Sequence, residues 1–314
     1  QRINHHVFTD VALLQHNIEV VTGHIRKKLL AAGVSDIDRR VLRFIPTHSG
    51  KTYHETAEGD FWRLSVFIPR TQSFAQVTPK NAYDAGLAFG NFESMLTDVD
   101  ETLGETIPDF HNMELRIRQL REAVLADVAG RLTEVRPLVD LLESHAEAMC
   151  RAEVLYREGR LPKRICHCDT KVNNMLFDEA GGVLCVIDLD TVMPSFIFSD
   201  YGDFLRTAAN ATREDDPNID HVSLRWDVVE SFTKGYIEGT HHFLLPIERE
   251  LLPFAMQLFP YMQCVRFLTD YINGDTYYKT TYPAHNLDRA RNQYRLFELT
   301  LAGQDRLQHF IDTL

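Results

Sequence analysis

The side chains best suited to chemistry in this 314-residue chain lie within residues 165–191. They read Ile-Cys-His-Cys-Asp-Thr-Lys-Val-Asn-Asn-Met-Leu-Phe-Asp, then Glu-Ala-Gly-Gly, then Val-Leu-Cys-Val-Ile-Asp-Leu-Asp-Thr. Apolar runs from Met175 to Phe177 and from Val183 to Ile187 flank Asp178 to Gly182, the pattern of a β-hairpin whose glycines supply positive φ. Pairing the runs draws Asp169, Lys171 and Asn174 toward Asp188 and Asp190. Three carboxylates and an amide crowded together call for a cation. Mg²⁺ accepts such hard oxygens, keeping its octahedron with one or two protein carboxylates while substrate phosphates supply further ligands. Zinc on Cys166, His167, Cys168 and Cys185 is the rival. Alternation along an extended segment turns Cys166 and Cys168 away from His167, and no C-x-x-C pair supports it. Any one Asp reads equally well as a solvated surface acid; the whole set argues for phosphoryl transfer.

The spacing His-x-Asp-x-Lys-x-x-Asn, from His167 to Asn174, matches the catalytic loop of kinases. There the Asp receives the hydroxyl proton, the Asn holds metal, and an Asp beyond the next strand holds metal again. Asp188 takes that last place.

Other elements must position this hairpin. Thr9 or Asp10 can cap a helix with Leu14, Ile18, Val21, Ile25 and Leu29 on one face and Gly33 at its end. Glu19 rides beside that face, its plain reading a solvated helix residue. Residues 41–45 and 61–68 read as strands, with 51–54 a candidate third, and residues 69–74 as a hinge. Thr78-Pro79 starts a second helix, with Ala82, Ala85, Phe89, Phe92 and Leu96 on one face. Helical periodicity recurs over 112–128, 134–157, 200–210, 225–239, 247–272 and 287–313. The expectation is an α+β fold of two lobes. Residues 1–73 form a small lobe of one helix beside an antiparallel sheet, ending in the hinge; residues 74–314 form a helical lobe bearing the metal-loop hairpin. A nucleotide would sit in the cleft between them.

A net charge of -12 argues against nucleic acid or an anionic membrane as partner, and the longest basic run is Arg26-Lys27-Lys28. Five cysteines without framework spacing suggest reduced thiols and a cytoplasmic protein. No apolar run approaches membrane-spanning length.

The chain resembles the aminoglycoside phosphotransferase and choline kinase superfamily, with its protein kinase-like fold, and most closely the N-acetylhexosamine 1-kinases. The likeness is carried by residues 167–174, by Val186-Ile-Asp-Leu-Asp-Thr-Val-Met-Pro194 and by Asp200-Tyr-Gly-Asp-Phe-Leu-Arg206. It continues through Arg266-Phe-Leu-Thr-Asp-Tyr-Ile-Asn-Gly-Asp-Thr-Tyr277 and Tyr282-Pro-Ala-His-Asn286. The resemblance implies ATP- and Mg²⁺-dependent phosphorylation of the anomeric hydroxyl of GlcNAc or GalNAc. Asp169 would orient that hydroxyl and take its proton, Lys171 would neutralise the transferred phosphoryl, and Asn174 and Asp188 would hold Mg²⁺. Asp190 would be outer-shell or sugar-facing. Arg266 and Tyr277 match sugar-binding positions, although alone they read as a packed or surface cation and a core aromatic. Gln1 falls near the place of a phosphate-anchoring lysine, and Glu19 lies on the helix that carries its partner. Relatives have two further strands and a glycine-bearing phosphate loop ahead of this point, so the natural protein is expected to be longer. Another small-molecule kinase of the superfamily, or a catalytically idle kinase-like binding protein, are the alternatives.

Overall fold

Asp10 opens the first helix by accepting the Leu13 N–H at 2.8 Å, a side-chain cap for an otherwise orphaned donor. In chain order the elements are α1 (Val11–Ala31), β1 (His54–Glu55), β2 (Phe61–Trp62), α2 (Pro79–Met95), α3 (Met113–Ala126), α4 (Leu132–Met149), α5 (Arg151–Arg157), β3 (Arg164–Cys166), β4 (Met175–Phe177), β5 (Val183–Val186), β6 (Met193–Ser195), α6 (Phe198–Ala208), α7 (Trp226–Thr240), α8 (Pro246–Glu250), α9 (Leu252–Ile272), α10 (His285–Ala302) and α11 (Gln304–Asp312). The computed structural model describes residues 1–74 and 77–314. The fold is mixed α+β, with short antiparallel strand pairs β1–β2, β3–β6 and β4–β5 in a mostly helical chain.

Two compact units interleave along the chain. The first comprises Gln1–Phe110, Arg164–Asp200 and Ser231–Leu244; the second comprises His111–Lys163, Tyr201–Glu230 and Leu245–Leu314. In the first, Leu14, Ile18, Val21 and Ile25 of α1 are buried with Phe92 of α2, with its C-cap Leu96 and with Leu189 and Val192 beyond the hairpin. The apolar stripe on α1 therefore seats the helix against the segment that carries Asp188 and Asp190. Thr78 caps α2 reciprocally with Asn81, and Ala82, Ala85, Phe89, Phe92 and Leu96 are all buried. Close approach is made possible by glycine: a Cβ on Gly86 would lie 2.2 Å from Phe232 O, and one on Gly235 would lie 2.1 Å from Tyr83 O.

The expected long strands at 41–45 and 61–68 are shorter. Ile45 N donates to Leu64 O and Val66 N to Arg43 O, each at 2.8 Å, so those runs do pair. The pairing reduces to the single bridge Phe44–Ser65, and only residues 61–62 ladder with 54–55. Residues 1–3 join the same strand, Ile3 N donating to Phe61 O and Arg63 N to Gln1 O.

In the second unit α9 is apolar on nearly every face, the mark of a helix enclosed on all sides; α10 and α3 are its main neighbours. The helices expected over 134–157, 247–272 and 287–313 are each broken, at Cys150, Leu251 and Gly303. Glycine is required at the last of these, since a Cβ there would lie 2.4 Å from the Trp226 ring.

Glu153 lies buried in this unit, accepting the Met113 N–H at 2.6 Å with one oxygen while the other finds no partner among the described residues. Burial pushes its carboxyl from 4.5 to about 7, with the Met113 N–H pulling the other way. Below pH 4.5 the group is protonated in both folded and unfolded chains. As pH rises the unfolded chain gives up the proton first, so stability falls until the folded carboxyl also ionises, by about 3 kcal/mol in all. Glu153→Gln is expected to remove that fall, raising the urea midpoint over wild type more at pH 8 than at pH 5. An equal difference at both pH values would contradict this assignment.

Candidate active site

Asp178 makes the hairpin turn by accepting the N–H groups of Ala180 and Gly182, each at 2.9 Å, while Gly181 takes φ 83°. Met175 then pairs with Val186, and Ile187 N donates to Asn174 O at 2.9 Å. Asn174 and Asp188 thus emerge at the same end. His167 clasps this end from the loop before β4, its Nε2 donating to Ile187 O at 2.8 Å while Nδ1 faces the Asp169 N–H at 3.3 Å. The ring is fully buried, edge-on to Phe89 and Phe92. It acts as a fastener between the two loops.

Asp169 is one-third exposed at its side chain. Its Oδ2 accepts Lys171 Nζ at 2.9 Å and Asn174 Nδ2 at 3.0 Å, and Asn174 Nδ2 also reaches Asp169 O at 2.7 Å. Oδ1 accepts no hydrogen bond among the described residues. Asp200 anchors the loop from beneath, its two oxygens accepting the N–H groups of His167 at 2.8 Å and Cys168 at 2.7 Å. Burial pushes the Asp200 carboxyl up, against His167 and those N–H groups, which pull it down. Glu93 lies against Asp200 and accepts Tyr236 Oη at 2.6 Å, so α2 and α7 both support the anchor. Cys168 (φ 64°) and Asp188 (φ 60°) are left-handed, a conformation that costs a non-glycine residue on the order of 1–3 kcal/mol and concentrates at functional sites.

Asp190 is turned to a different use. Its carboxylate pairs with Arg63, whose side chain is only 3% exposed. Burial pushes the Asp190 carboxyl up, Arg63 opposes this, and the Asp188 charge adds to it. Arg63 also donates to Gln1 Oε1 at 2.9 and 3.0 Å and to Gln15 Oε1 at 3.0 Å. Gln15 continues to Thr52 at 2.8 Å, and the Thr52 hydroxyl donates to Glu19. Glu19 and Gln1 therefore take separate partners rather than each other. Asn17 of α1 donates to Val192 O and Gly104 O, each at 2.8 Å, tying the same segment to the helix. Arg63, Gln15, Asn17, Glu93 and Asp200 were not read as site residues from sequence. Arg63 carried no signal: it sits between Trp62 and Leu64, so alternation turns it outward, whereas in the structure those two are exposed and Arg63 is buried.

Arg266 and Tyr277 belong to the second unit. Arg266 lies over the Tyr278 ring, 5.7 Å from its centroid, and Tyr277 meets the same ring edge-on at 4.8 Å. The structure brings these two together through Tyr278. It gathers Asp169, Lys171, Asn174 and Asp188 in the first unit.

The donor set suits a hard cation. Asn174 spends its amide nitrogen on Asp169, which leaves its oxygen available, and the exposed Asp188 carboxylate has no hydrogen-bonding partner among the described residues. The residues of the zinc alternative are otherwise engaged: both ring nitrogens of His167 are taken, by Ile187 O and by the Asp169 N–H, and burial raises the Cys168 and Cys185 thiols. Cys166 donates to Ser195 O and Phe196 O. A cavity of about 460 Å³, walled by Ile25, Leu29, Leu87, Phe92 and Cys185 among others, also takes in Val186 and Leu189 close to Asp188 in sequence, but none of Asp169, Lys171, Asn174, Asp188 and Asp190.

Residues 39–236 match the model of the phosphotransferase enzyme family. Similar solved structures include an aminoglycoside phosphotransferase from Alicyclobacillus acidocaldarius, 14% identical with a TM-score of 0.62, the match covering 96% of this chain and 85% of that one. A choline/ethanolamine kinase family protein from Mesorhizobium loti is 15% identical with a TM-score of 0.51, covering 93% and 84%. A spectinomycin phosphotransferase solved with ADP and spectinomycin is 14% identical with a TM-score of 0.50, covering 90% and 82%. At these identities the likeness is one of fold, and it is the kinase-like α+β fold that the motifs implied. No helix among the described residues is long and apolar enough to cross a membrane.

Proposed function

We propose, given that the chain belongs to the phosphotransferase enzyme family, that it moves the γ-phosphoryl group of ATP to the anomeric hydroxyl of an N-acetylhexosamine. The observation that carries this reading is the state of Asp169. One carboxylate oxygen is pinned by Lys171 and Asn174 while the other accepts no bond among the described residues, and the exposed Asp188 emerges at the same hairpin end as Asn174. A carboxylate held in this way can orient an acceptor hydroxyl and take its proton, and an anomeric hydroxyl is more acidic than an ordinary alcohol.

Lys171 holds Asp169 in the resting protein and would meet negative charge on the transferred group. Asn174 and Asp188 would hold Mg²⁺, which when bound offsets the charge of the triphosphate. ATP as donor is supported by the family and by the ADP bound to the spectinomycin phosphotransferase of the same fold. Asp190 serves, through Arg63, to fix the metal segment against α1. Glu19 stands at the far end of that chain of bonds, on the nucleotide-phosphate side in this reading. Arg266 and Tyr277 would bind the sugar, one by donating hydrogen bonds and the other by stacking.

An ATP-coupled assay with GlcNAc, GalNAc, methylthioribose and choline tests the proposal. Turnover is expected with the two N-acetylhexosamines, giving the sugar 1-phosphate and requiring Mg²⁺. Activity confined to methylthioribose or choline would overturn the acceptor assignment.

A further inference from the structure

The loop after α9 is built around one buried carboxylate. Asp270 is 4% exposed. Its Oδ1 accepts the N–H groups of Thr276 at 2.9 Å and Tyr277 at 2.8 Å; its Oδ2 accepts Tyr278 N at 2.9 Å and Asn286 Nδ2 at 2.8 Å. Three successive backbone donors thus converge on a single carboxyl side chain. The turn leading into the loop is pinned through the same Asn286 and through Arg131. Gly274 (φ 86°) and Asp275 (φ 62°) are left-handed, and the Asp275 carboxylate accepts Asn286 Nδ2 at 2.9 Å and Arg131 Nη1 at 2.6 Å. This scaffold presents Tyr277 with its side chain open to solvent, 64% exposed, while the neighbouring Tyr278 is wedged between Phe267, Arg266 and Gln263.

α9 already ends on Asn273 and the left-handed Gly274, so stopping the helix does not require Asp270. A buried carboxylate is costly, since its desolvation must be offset bond by bond. What the carboxylate adds is a fixed backbone under an exposed aromatic ring, so the ordering cost is met before any ligand arrives. Resting on the phosphotransferase reading above, we infer that Asp270 is a positioning residue for acceptor recognition: its cradle holds the Tyr277 ring ready to stack on the apolar face of a pyranose.

The test compares Asp270→Asn, Tyr277→Ala and the double variant, assayed with GlcNAc and GalNAc as acceptors. Asn offers its amide N–H groups where backbone donors converge, so the cradle loosens. Asp270→Asn is expected to raise the acceptor KM about tenfold, with the ATP KM and kcat within about threefold of wild type. Tyr277→Ala should do the same, and the double variant should be no worse than the poorer single one. An acceptor KM within about twofold of wild type in Asp270→Asn, or effects that multiply in the double variant, overturn the inference. The wild-type protein supplies a reading that needs neither variant nor turnover: the amides of residues 276–278 should be protected from hydrogen exchange without sugar and unchanged by it. Fast exchange, or protection that appears only with sugar, overturns the inference even where Asp270→Asn fails to fold. No turnover of either sugar by wild type would instead defeat the acceptor assignment, and the amides then decide the cradle independently.

Discussion

Asp169→Asn is expected to leave the protein folded and its nucleotide affinity close to wild type while lowering turnover about 10²- to 10⁴-fold, the range for loss of a general base. The geometry explains why so small a change should do so much. Oδ2 faces two donors, Lys171 Nζ and Asn174 Nδ2. In the variant the amide oxygen must take that side, because an NH₂ group there would meet donors head-on. The NH₂ group then occupies the position of Oδ1, placing a donor where an acceptor hydroxyl needs a base. Stability should change little, since the side chain is one-third exposed and its partner Lys171 is more exposed still. Steady-state kinetics together with calorimetric titration of nucleotide separate the two effects. Near-normal turnover would remove Asp169 from the chemistry, and a parallel loss of nucleotide affinity would make it a binding residue.

The hairpin was legible because two independent signals agree there: apolar runs of strand length and a Gly-Gly turn. The buried faces of α1 and α2 were legible because helical period and burial coincide at Leu14, Ile18, Val21 and Ile25 and again at Phe89, Phe92 and Leu96. Periodicity does not register a single-residue interruption, so Cys150, Leu251 and Gly303 passed unseen within runs that otherwise read as continuous helices. The couple Asp203–Arg206, three apart on one helix, is found at 3.0 Å because local spacing determines it. The polar partners that shape the site are of another kind. Asp200 reaches the His167–Cys168 loop across more than thirty residues, and Arg63 reaches Asp190 across 127. Apolar patterning says which positions are inside but not which buried polar group meets which, and a charged residue at an inward position is easily taken for a surface one. Gly86 and Gly90, and Gly235 and Gly239, passed unread in the sequence, since small residues four apart on a helix do not reveal that the two pairs face each other.

That crossing leads to a reversal of sign between two identical substitutions. Glycine within a helix is ordinarily about 1 kcal/mol worse than alanine. At Gly23 of α1, where a Cβ would meet nothing within 4 Å, Gly23→Ala is therefore expected to raise the unfolding free energy by up to about 1 kcal/mol. At Gly235 the same methyl would lie 2.1 Å from Tyr83 O and 2.9 Å from Leu87 N. These are backbone atoms of a hydrogen-bonded helix and cannot swing aside as a side chain would, so the helices must separate. Gly235→Ala is expected to cost about 3 kcal/mol or more, at or beyond the upper end for overpacked cores. The separation should reach the chemistry as well. Tyr236 is the next residue, its hydroxyl bonds to Glu93, and Glu93 lies against the Asp200 carboxylate that anchors His167 and Cys168. Any folded fraction of Gly235→Ala should accordingly turn over more slowly, while Gly23→Ala keeps wild-type kinetics. Denaturant midpoints that shift in the same direction for both variants would mean that α2 and α7 do not meet backbone to backbone, and would remove their support for the His167–Cys168 loop.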